Sequence, residues 1–259
     1  MQDHVTVETV GRVAVITLNR PQQRNAINAA IRSGLPKAMS AAERDDSVAV
    51  VVLTGADPAF CAGLDLVELG SGDNRSAVSI DDWKGSVRPW APLTKPVIGA
   101  INGAAVTGGF ELALNCDFLI ASEHARFADT HARVGVMPGW GLTPLLADAV
   151  GVRRARQMSL SGNYIDAHTA LTWGLVNEVV PHGELMARTM AVAADIAGND
   201  RAGVERMLAT YAEQERARLA HSWIIEGDAS TAFRRQHRYG AETVEQRRAS
   251  IIERGRSQI

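Results

Sequence analysis

Two stretches of the chain place glycine among small residues between an apolar run and a helical pattern. They are Phe60-Cys61-Ala62-Gly63-Leu64-Asp65-Leu66 and Asn102-Gly103-Ala104-Ala105-Val106-Thr107-Gly108-Gly109-Phe110-Glu111. A helix start carries unpaired N–H donors and a partial positive charge, and glycine lets a ligand approach the backbone. Two such turns aimed at one point would make an oxyanion hole, each donor contributing roughly 3 kcal/mol to a transition state with charge on oxygen. Taken singly, each is also what a tight strand-to-helix connection looks like. Neither is a phosphate loop: Gly103 to Gly108 has Walker-type glycine spacing but no Lys-Ser/Thr ending, and no Gly-x-Gly-x-x-Gly follows a strand. A Gly-x-Ser-x-Gly elbow is also missing, which argues against a serine hydrolase of the common kind.

Glu111 stands three residues after Gly108, between Phe110 and the pair Leu112-Ala113. A carboxylate partly desolvated there can have its pKa raised into the range useful for a general acid or base. The plainer reading is a charge favoured by the helix dipole, at most about 1 kcal/mol. His131 lies in Phe127-Ala128-Asp129-Thr130-His131-Ala132-Arg133-Val134-Gly135. Imidazole titrates near neutrality and can position or deprotonate water, and Asp129 would orient it if the segment is extended, because residues two apart then share a face. Its plainer reading is a histidine on a surface loop. A metal held by His124, Asp129 and His131 is conceivable from spacing alone, yet no His-Glu-x-x-His set supports it and the other histidines form no metal group. No metal is expected.

The elements that would position these groups follow from periodicity. Residues from His4 to Leu18 alternate about Gly11, as a hairpin does. Asn28 or Asn25 can cap a helix running to about Arg44, and Val48 to Leu53 is a continuous β-branched run suited to a strand buried on both faces. A strand at Val97 to Ile101, a helix from about Gly108, and strand-like runs at Phe118 to Ala121 and Ala125 to Ala128 continue the alternation, which implies an α/β fold. Gly70 to Ser79 reads as a polar surface loop between helices. After Pro138 the pattern turns helical, with Asp166 as a cap, one short strand at Val176 to Val180, and helical periodicity from Glu184 to the end. No internal repeat is visible.

Composition bounds the possibilities. The chain has 259 residues, 46% hydrophobic and 22% charged, enough for one large core or a core with a small appendage. A formal charge of −2 gives no broad basic field for nucleic acid or an anionic membrane. No run approaches the ~20 apolar residues of a bilayer span, and MQDHVTVET carries no signal-like stretch, so a cytoplasmic location is the expectation. Cys61 and Cys116 have neither scaffold density nor Cys-x-x-Cys spacing, and read as small buried thiols in a reducing compartment.

Several motifs occur together: Asn19-Arg20-Pro21 with Arg24-Asn25-Ala26 after the hairpin, AFCAGLDL at Ala59 to Leu66, and KPVIGAINGAAVTGGFELALNCDFLIAS at Lys95 to Ser122. Phe127-Ala128, Gly135 with Met137-Pro138-Gly139, and SGNYIDAHTALTWGLVNEVV at Ser161 to Val180 complete the set. In these the chain resembles the crotonase (enoyl-CoA hydratase/isomerase) superfamily, closely from about Val5 to Pro181 and loosely beyond. The resemblance implies a spiral of ββα units with a C-terminal helical layer. It implies a core domain over residues 1–195 holding coenzyme A and the active site, and a helical region over 196–259 used in assembly as a homotrimer or a hexamer of paired trimers.

By the same resemblance, the N–H groups of Leu64 and Gly108 would hold the thioester oxygen, and Glu111 would be catalytic. Coenzyme A would lie along Arg24, Ala26, Ala62 and Leu64, with Asp65 and Trp140 also in the substrate region; Arg24 reads equally as a solvated charge. The side chains of Asp65 and Asp117 read as structural, satisfying backbone donors or an arginine. His131 stands where two-carboxylate hydratases of the superfamily carry a second glutamate. Trp140 and Leu142 replace small residues after Pro138-Gly139, and are expected to narrow the acyl pocket. The expected activity is hydration of an enoyl-CoA thioester without metal or redox cofactor, coenzyme A arriving as part of the substrate. A Δ3,Δ2-enoyl-CoA isomerase, another acyl-CoA enolate reaction such as hydrolysis or decarboxylation, and a non-catalytic acyl-CoA binder are the alternatives.

Overall fold

The computed structural model describes residues 3–70, 88–236 and 241–258. The expected hairpin is present as β1 (Val5–Val10) and β2 (Val13–Leu18), antiparallel, with Gly11 at φ +59 in the turn. Helix α1 (Ala29–Arg44) is capped by Asn28, whose side chain accepts the Ile31 N–H at 3.0 Å. Asn25, the other candidate, lies outside the helix. Ile31, Leu35, Ala38, Met39 and Ala42 form the buried stripe of α1, and the buried Lys95 ammonium closes its far end on the carbonyls of Ala42 and Asp45.

From there the chain repeats one unit three times. β3 (Val50–Gly55), β4 (Ala59–Cys61) and α2 (Leu66–Gly70) form the first; β5 (Val97–Ile101), β6 (Ala104–Val106) and α3 (Gly108–Leu114) the second; β7 (Phe118–Ser122), β8 (Arg126–Ala128) and α4 (His131–Val134) the third. The leading strands join a six-stranded sheet ordered β1-β2-β3-β5-β7-β10, with β10 at Glu178–Val180, parallel except for the hairpin. The second strands join a four-stranded sheet ordered β4-β6-β8-β9, with β9 at Ile165–Asp166. Each unit thus contributes one strand to each sheet and then a helix, the ββα spiral. The repeat is structural only, since the three units share no sequence period that reading the chain reveals.

The continuous apolar run of β3 has the expected cause. Val51 and Leu53 face the main core with Ile16, Leu18, Phe60, Phe110 and Phe127, whereas Val50 and Val52 face a second cluster with Ile98, Ala100, Ile120, Leu185 and Ala193. That second face is covered by α8 (Leu185–Ala197), so the sheet is buried on both sides.

Helices α5 (Leu142–Val150), α6 (Val152–Ser161) and α7 (Ala167–Trp173) follow, the last capped by Asp166 as expected. The expected strand is shorter, β10 at Glu178–Val180, and β9 (Ile165–Asp166) was not foreseen, two residues being too few for a period. The C-terminal layer is α9 (Arg201–Gln236) and α10 (Ala241–Arg256). Helix α9 packs on α5 through Trp223, and α10 packs on α2 and α4, so the layer covers this chain's own core. The expected loop at Gly70 to Ser79 lies outside the described residues apart from Gly70, which ends α2. Among the described residues no helix is long and apolar enough to cross a membrane.

Candidate active site

Because β4, β6 and β8 pair side by side, the loops leaving them converge: Ala62 to Asp65, Thr107 to Gly109, and Asp129 to His131. The first loop is held by the segment after the hairpin. The Ile27 N–H donates to Gly63 O at 2.7 Å, the Asp65 N–H to Ile27 O at 3.1 Å, and the Ala62 N–H to Arg24 O at 3.0 Å. In a parallel bridge of this kind Ile27 bonds the residues flanking Leu64, so the Leu64 N–H turns to the other side. Asn25, fully buried and left-handed at φ 56, ties this segment to the strands through the carbonyls of Ala56 and Ala59 and the Arg20 N–H.

The second turn presses against the first. Gly63 is at φ +91, and a Cβ there would stand 2.8 Å from Val106 O; a Cβ on Gly108 would stand 3.9 Å from the Leu64 nitrogen. Thr107 adopts φ 54 and ψ −115, an unusual conformation for a β-branched residue and one of the strained geometries found where function needs them. It is fixed by its N–H to Ala128 O at 2.9 Å and by its hydroxyl against that of Thr130 at 2.5 Å. Among the described residues no acceptor takes the N–H of Leu64 or of Gly108. The two donors therefore stand together and unpaired, as an oxyanion hole requires.

The acid/base groups lie beside them. Glu111, 4% exposed on the first turn of α3, accepts the N–H of Gly139 at 3.0 Å and of Trp140 at 2.7 Å on one oxygen. Its other oxygen faces His131 Nε2 at 3.5 Å. The opposite ring nitrogen meets Asp129 Oδ1 at 2.6 Å, and that same oxygen accepts the His131 N–H at 3.1 Å. Asp129 thus orients His131 as expected but for a different reason: the segment is not extended, and the carboxylate, one position before the Thr130 N-cap of α4, bonds the His131 N–H two residues on and the ring together. His131 is buried, not a surface loop residue. Burial alone would lower its pKa, but the hydrogen bonds to Asp129 and Glu111 and both carboxylate charges outweigh it and raise the ring to about 10. For Asp129, burial opposes and the bonds and charge of His131 prevail, holding its carboxyl below the usual range.

The remaining candidates divide. The Trp140 ring leans over the second turn, its edge 3.9 Å from where a Gly108 Cβ would stand. Leu142, expected beside it, opens α5 and lies fully buried in the main core, with no surface to offer a ligand. Arg24 is exposed beside the Leu64 turn, and Ala26 is buried with its carbonyl on the Arg20 guanidinium at 2.6 Å. Asp65 pairs with Arg20 at 3.0 Å and accepts the Val67 N–H at 2.9 Å, so its carboxylate holds the loop. Asp117 accepts the Val97 N–H at 2.6 Å, and burial pushes its carboxyl up to about 6. Burial likewise pushes the Cys61 thiol up to about 12, leaving it unreactive. His124 stacks on His182 at 4.6 Å, and among the described residues no group of three or more His, Cys, Asp or Glu is arranged to hold a metal ion.

Three contributors escape a reading of the sequence. The Thr107–Thr130 hydroxyl pair shows no pattern in the chain. Asn115 bridges Glu111 O and Trp140 O, both at 2.8 Å, fastening the Pro138–Gly141 loop to α3. Glu226 of α9 accepts the N–H groups of Gly141 and Thr143. Its one sequence signal is spacing, since Trp223, Glu226 and Ser230 form the buried stripe of a helix otherwise rich in surface charge.

Known proteins carry the same fold and are similar in sequence. The family model described as enoyl-CoA hydratase/isomerase matches residues 8–251. A probable peroxisomal enoyl-CoA hydratase of Arabidopsis thaliana is 39% identical over 226 residues, covering 86% of this chain and 83% of that protein. A probable enoyl-CoA hydratase of Rhizobium meliloti is 41% identical over 191 residues, 74% of each. The crystal structure of an enoyl-CoA hydratase from Mycobacterium tuberculosis superposes with a TM-score of 0.83 at 51% identity, covering 90% of this chain and 99% of that one. The chain belongs to the enoyl-CoA hydratase/isomerase family of the crotonase superfamily.

Proposed function

We propose that this chain is an enoyl-CoA hydratase that adds water across the 2,3 double bond of an enoyl-CoA thioester. The observation that carries the reading is the meeting of two unpaired N–H groups, Leu64 and Gly108, with the Glu111–His131 pair. The thioester oxygen sits between the two donors, which take up the negative charge that develops as C3 is attacked. Glu111 Oε2 accepts a proton from water as its oxygen bonds C3. The His131 imidazolium delivers a proton to C2, and the proton on Glu111 then passes across the 3.5 Å gap to restore the pair. The hydroxyl on C3 and the hydrogen on C2 together account for one water. Acid/base groups contribute ~10²–10⁴ in rate, and orientation adds to it.

Coenzyme A runs over Arg24, Ala26 and Ala62, where the backbone flanks the Leu64 turn, with Arg24 as the exposed cation. The names of the similar proteins as hydratases support the same activity. Assembly as a trimer or a pair of trimers is part of the proposal, supported by Met207, Tyr211, Ile224 and Ile225, large apolar side chains exposed on α9. Light scattering tests it.

The test of activity is the ultraviolet absorbance of crotonyl-CoA. Loss of the conjugated-enoyl band with wild-type protein, abolished in Glu111→Gln, supports hydration. Tight coenzyme A binding without turnover across enoyl-CoA chain lengths would leave only a binding protein. A second reading is favoured by one observation: Glu111 lies on the first turn of the helix that Gly108 opens and faces a histidine, not a second carboxylate, which suits an isomerase that shuttles one proton between C2 and C4. Conversion of 3-enoyl-CoA to 2-enoyl-CoA faster than hydration selects it.

A further inference from the structure

The loop that holds Glu111 is itself held from the C-terminal layer. Glu226, 3% exposed on α9, accepts the Gly141 N–H at 2.7 Å on one oxygen, and the Thr143 N–H and hydroxyl, each at 2.6 Å, on the other. Gly141, at φ +87, provides no side-chain cap for α5, so the first donors of that helix are satisfied from another element. The Trp223 ring lies so close that a Cβ on Gly141 would stand 1.9 Å from it. Two carboxylates therefore divide one loop: Glu111 takes the N–H groups of Gly139 and Trp140, and Glu226 those of Gly141 and Thr143. The Gly141 N–H shares one planar peptide unit with the Trp140 carbonyl, which Asn115 holds at 2.8 Å, so displacing that unit loosens the loop from α3 and shifts the Trp140 Cα next to the amide that Glu111 grips.

We propose that Glu226 is a positioning residue: through the Gly139–Thr143 loop it sets the direction in which Glu111 faces His131, so that docking of α9 completes the site. Its effect on turnover rests on the hydratase reading; its effect on the loop does not. Glu226 touches neither His131 nor the two N–H donors of the thioester site in any contact described above, and it acts only through Glu111.

Glu226→Gln keeps the size of the side chain but presents an NH₂ to donors that need an acceptor. In the folded variant, amide exchange at Gly139 and Trp140 rises about tenfold together with that at Gly141 and Thr143. The kcat for crotonyl-CoA falls by about 10- to 100-fold, the effect of a misplacement near 1 Å, while KM stays within about threefold. Wild-type exchange at Gly139 and Trp140 beside opened Gly141 and Thr143 overturns the proposal, as does an unchanged kcat or a loss confined to KM. Should Glu226→Gln not fold, Thr143→Val removes one donor and leaves the carboxylate. The same four amides then respond together at smaller amplitude, and their independence overturns the coupling. A wild-type protein that does not hydrate crotonyl-CoA sinks the hydratase reading, and the exchange pattern still decides this one.

Discussion

His131 Nε2 and Glu111 Oε2 face each other across 3.5 Å inside the protein. Two carboxylates at that separation share a proton, because both cannot ionise. An imidazole is instead complementary to a carboxylate, and the two that flank it, Asp129 and Glu111, raise the His131 ring to about 10.

Glu111→Gln keeps shape but cannot accept the water proton. Hydration of crotonyl-CoA is expected to fall by at least ~10² and up to ~10⁴, with coenzyme A binding retained. Single-turnover absorbance and calorimetric binding check it; a residual rate near wild type would remove Glu111 from the chemistry.

The raised His131 pKa makes stability depend on pH. The ring titrates near 10 in the folded protein and near 6.5 unfolded. Its contribution is therefore fully present below about 6.5 and lost as pH rises through about 10. Asp129, held below its ordinary range, contributes in the opposite direction: its part is present above the usual carboxylate pKa and lost as pH falls. Thermal midpoints measured against pH should show both declines, and Asp129→Asn should flatten both. An Asp129→Asn curve parallel to wild type would break the link.

Two neighbouring glycines should fail differently. A Cβ on Gly109 would stand 2.2 Å from Cys61 O, a backbone atom with no room to move, so Gly109→Ala should push α3 off β4 and cost about 1–3 kcal/mol in urea unfolding. A Cβ on Gly108 meets the flexible end of Ile27 at 3.2 Å and projects beside the Leu64 nitrogen, so Gly108→Ala should remain folded while kcat drops. Equal losses of stability in the two variants would contradict this.

Trp140 leans over the Gly108 turn, and under the proposed binding mode it lines the path of the acyl chain. Trp140→Ala should raise kcat/KM for long enoyl chains relative to crotonyl-CoA, measured across a chain-length series. One buried methylene is worth about 1–3 kcal/mol of discrimination, or ~10- to 200-fold. An unchanged preference would place the acyl chain elsewhere.

Much of this protein was legible because its signals are local. The hairpin about Gly11, the Asn28 and Asp166 caps, the doubly buried β3 run and the turns at Gly63 and Gly108 depend on side chains a few positions apart. Glu111 also stands out by its place on the first turn of α3. Tertiary structure decided the rest. Strands β4 and β6 have three residues each, too short for a period, and although β8 was marked by the run at Ala125 to Ala128, only the pairing of all three brings Leu64, Gly108 and His131 together. The grip of Asp129 on His131 is a capping geometry that alternation could not foresee. Glu226 reaches Gly141 across 85 positions of chain, and its spacing from Trp223 and Ser230 marks a buried face without saying what that face meets. A hydrogen bond between distant residues leaves no spacing to read, because it exists only once the helices that carry its two ends have packed.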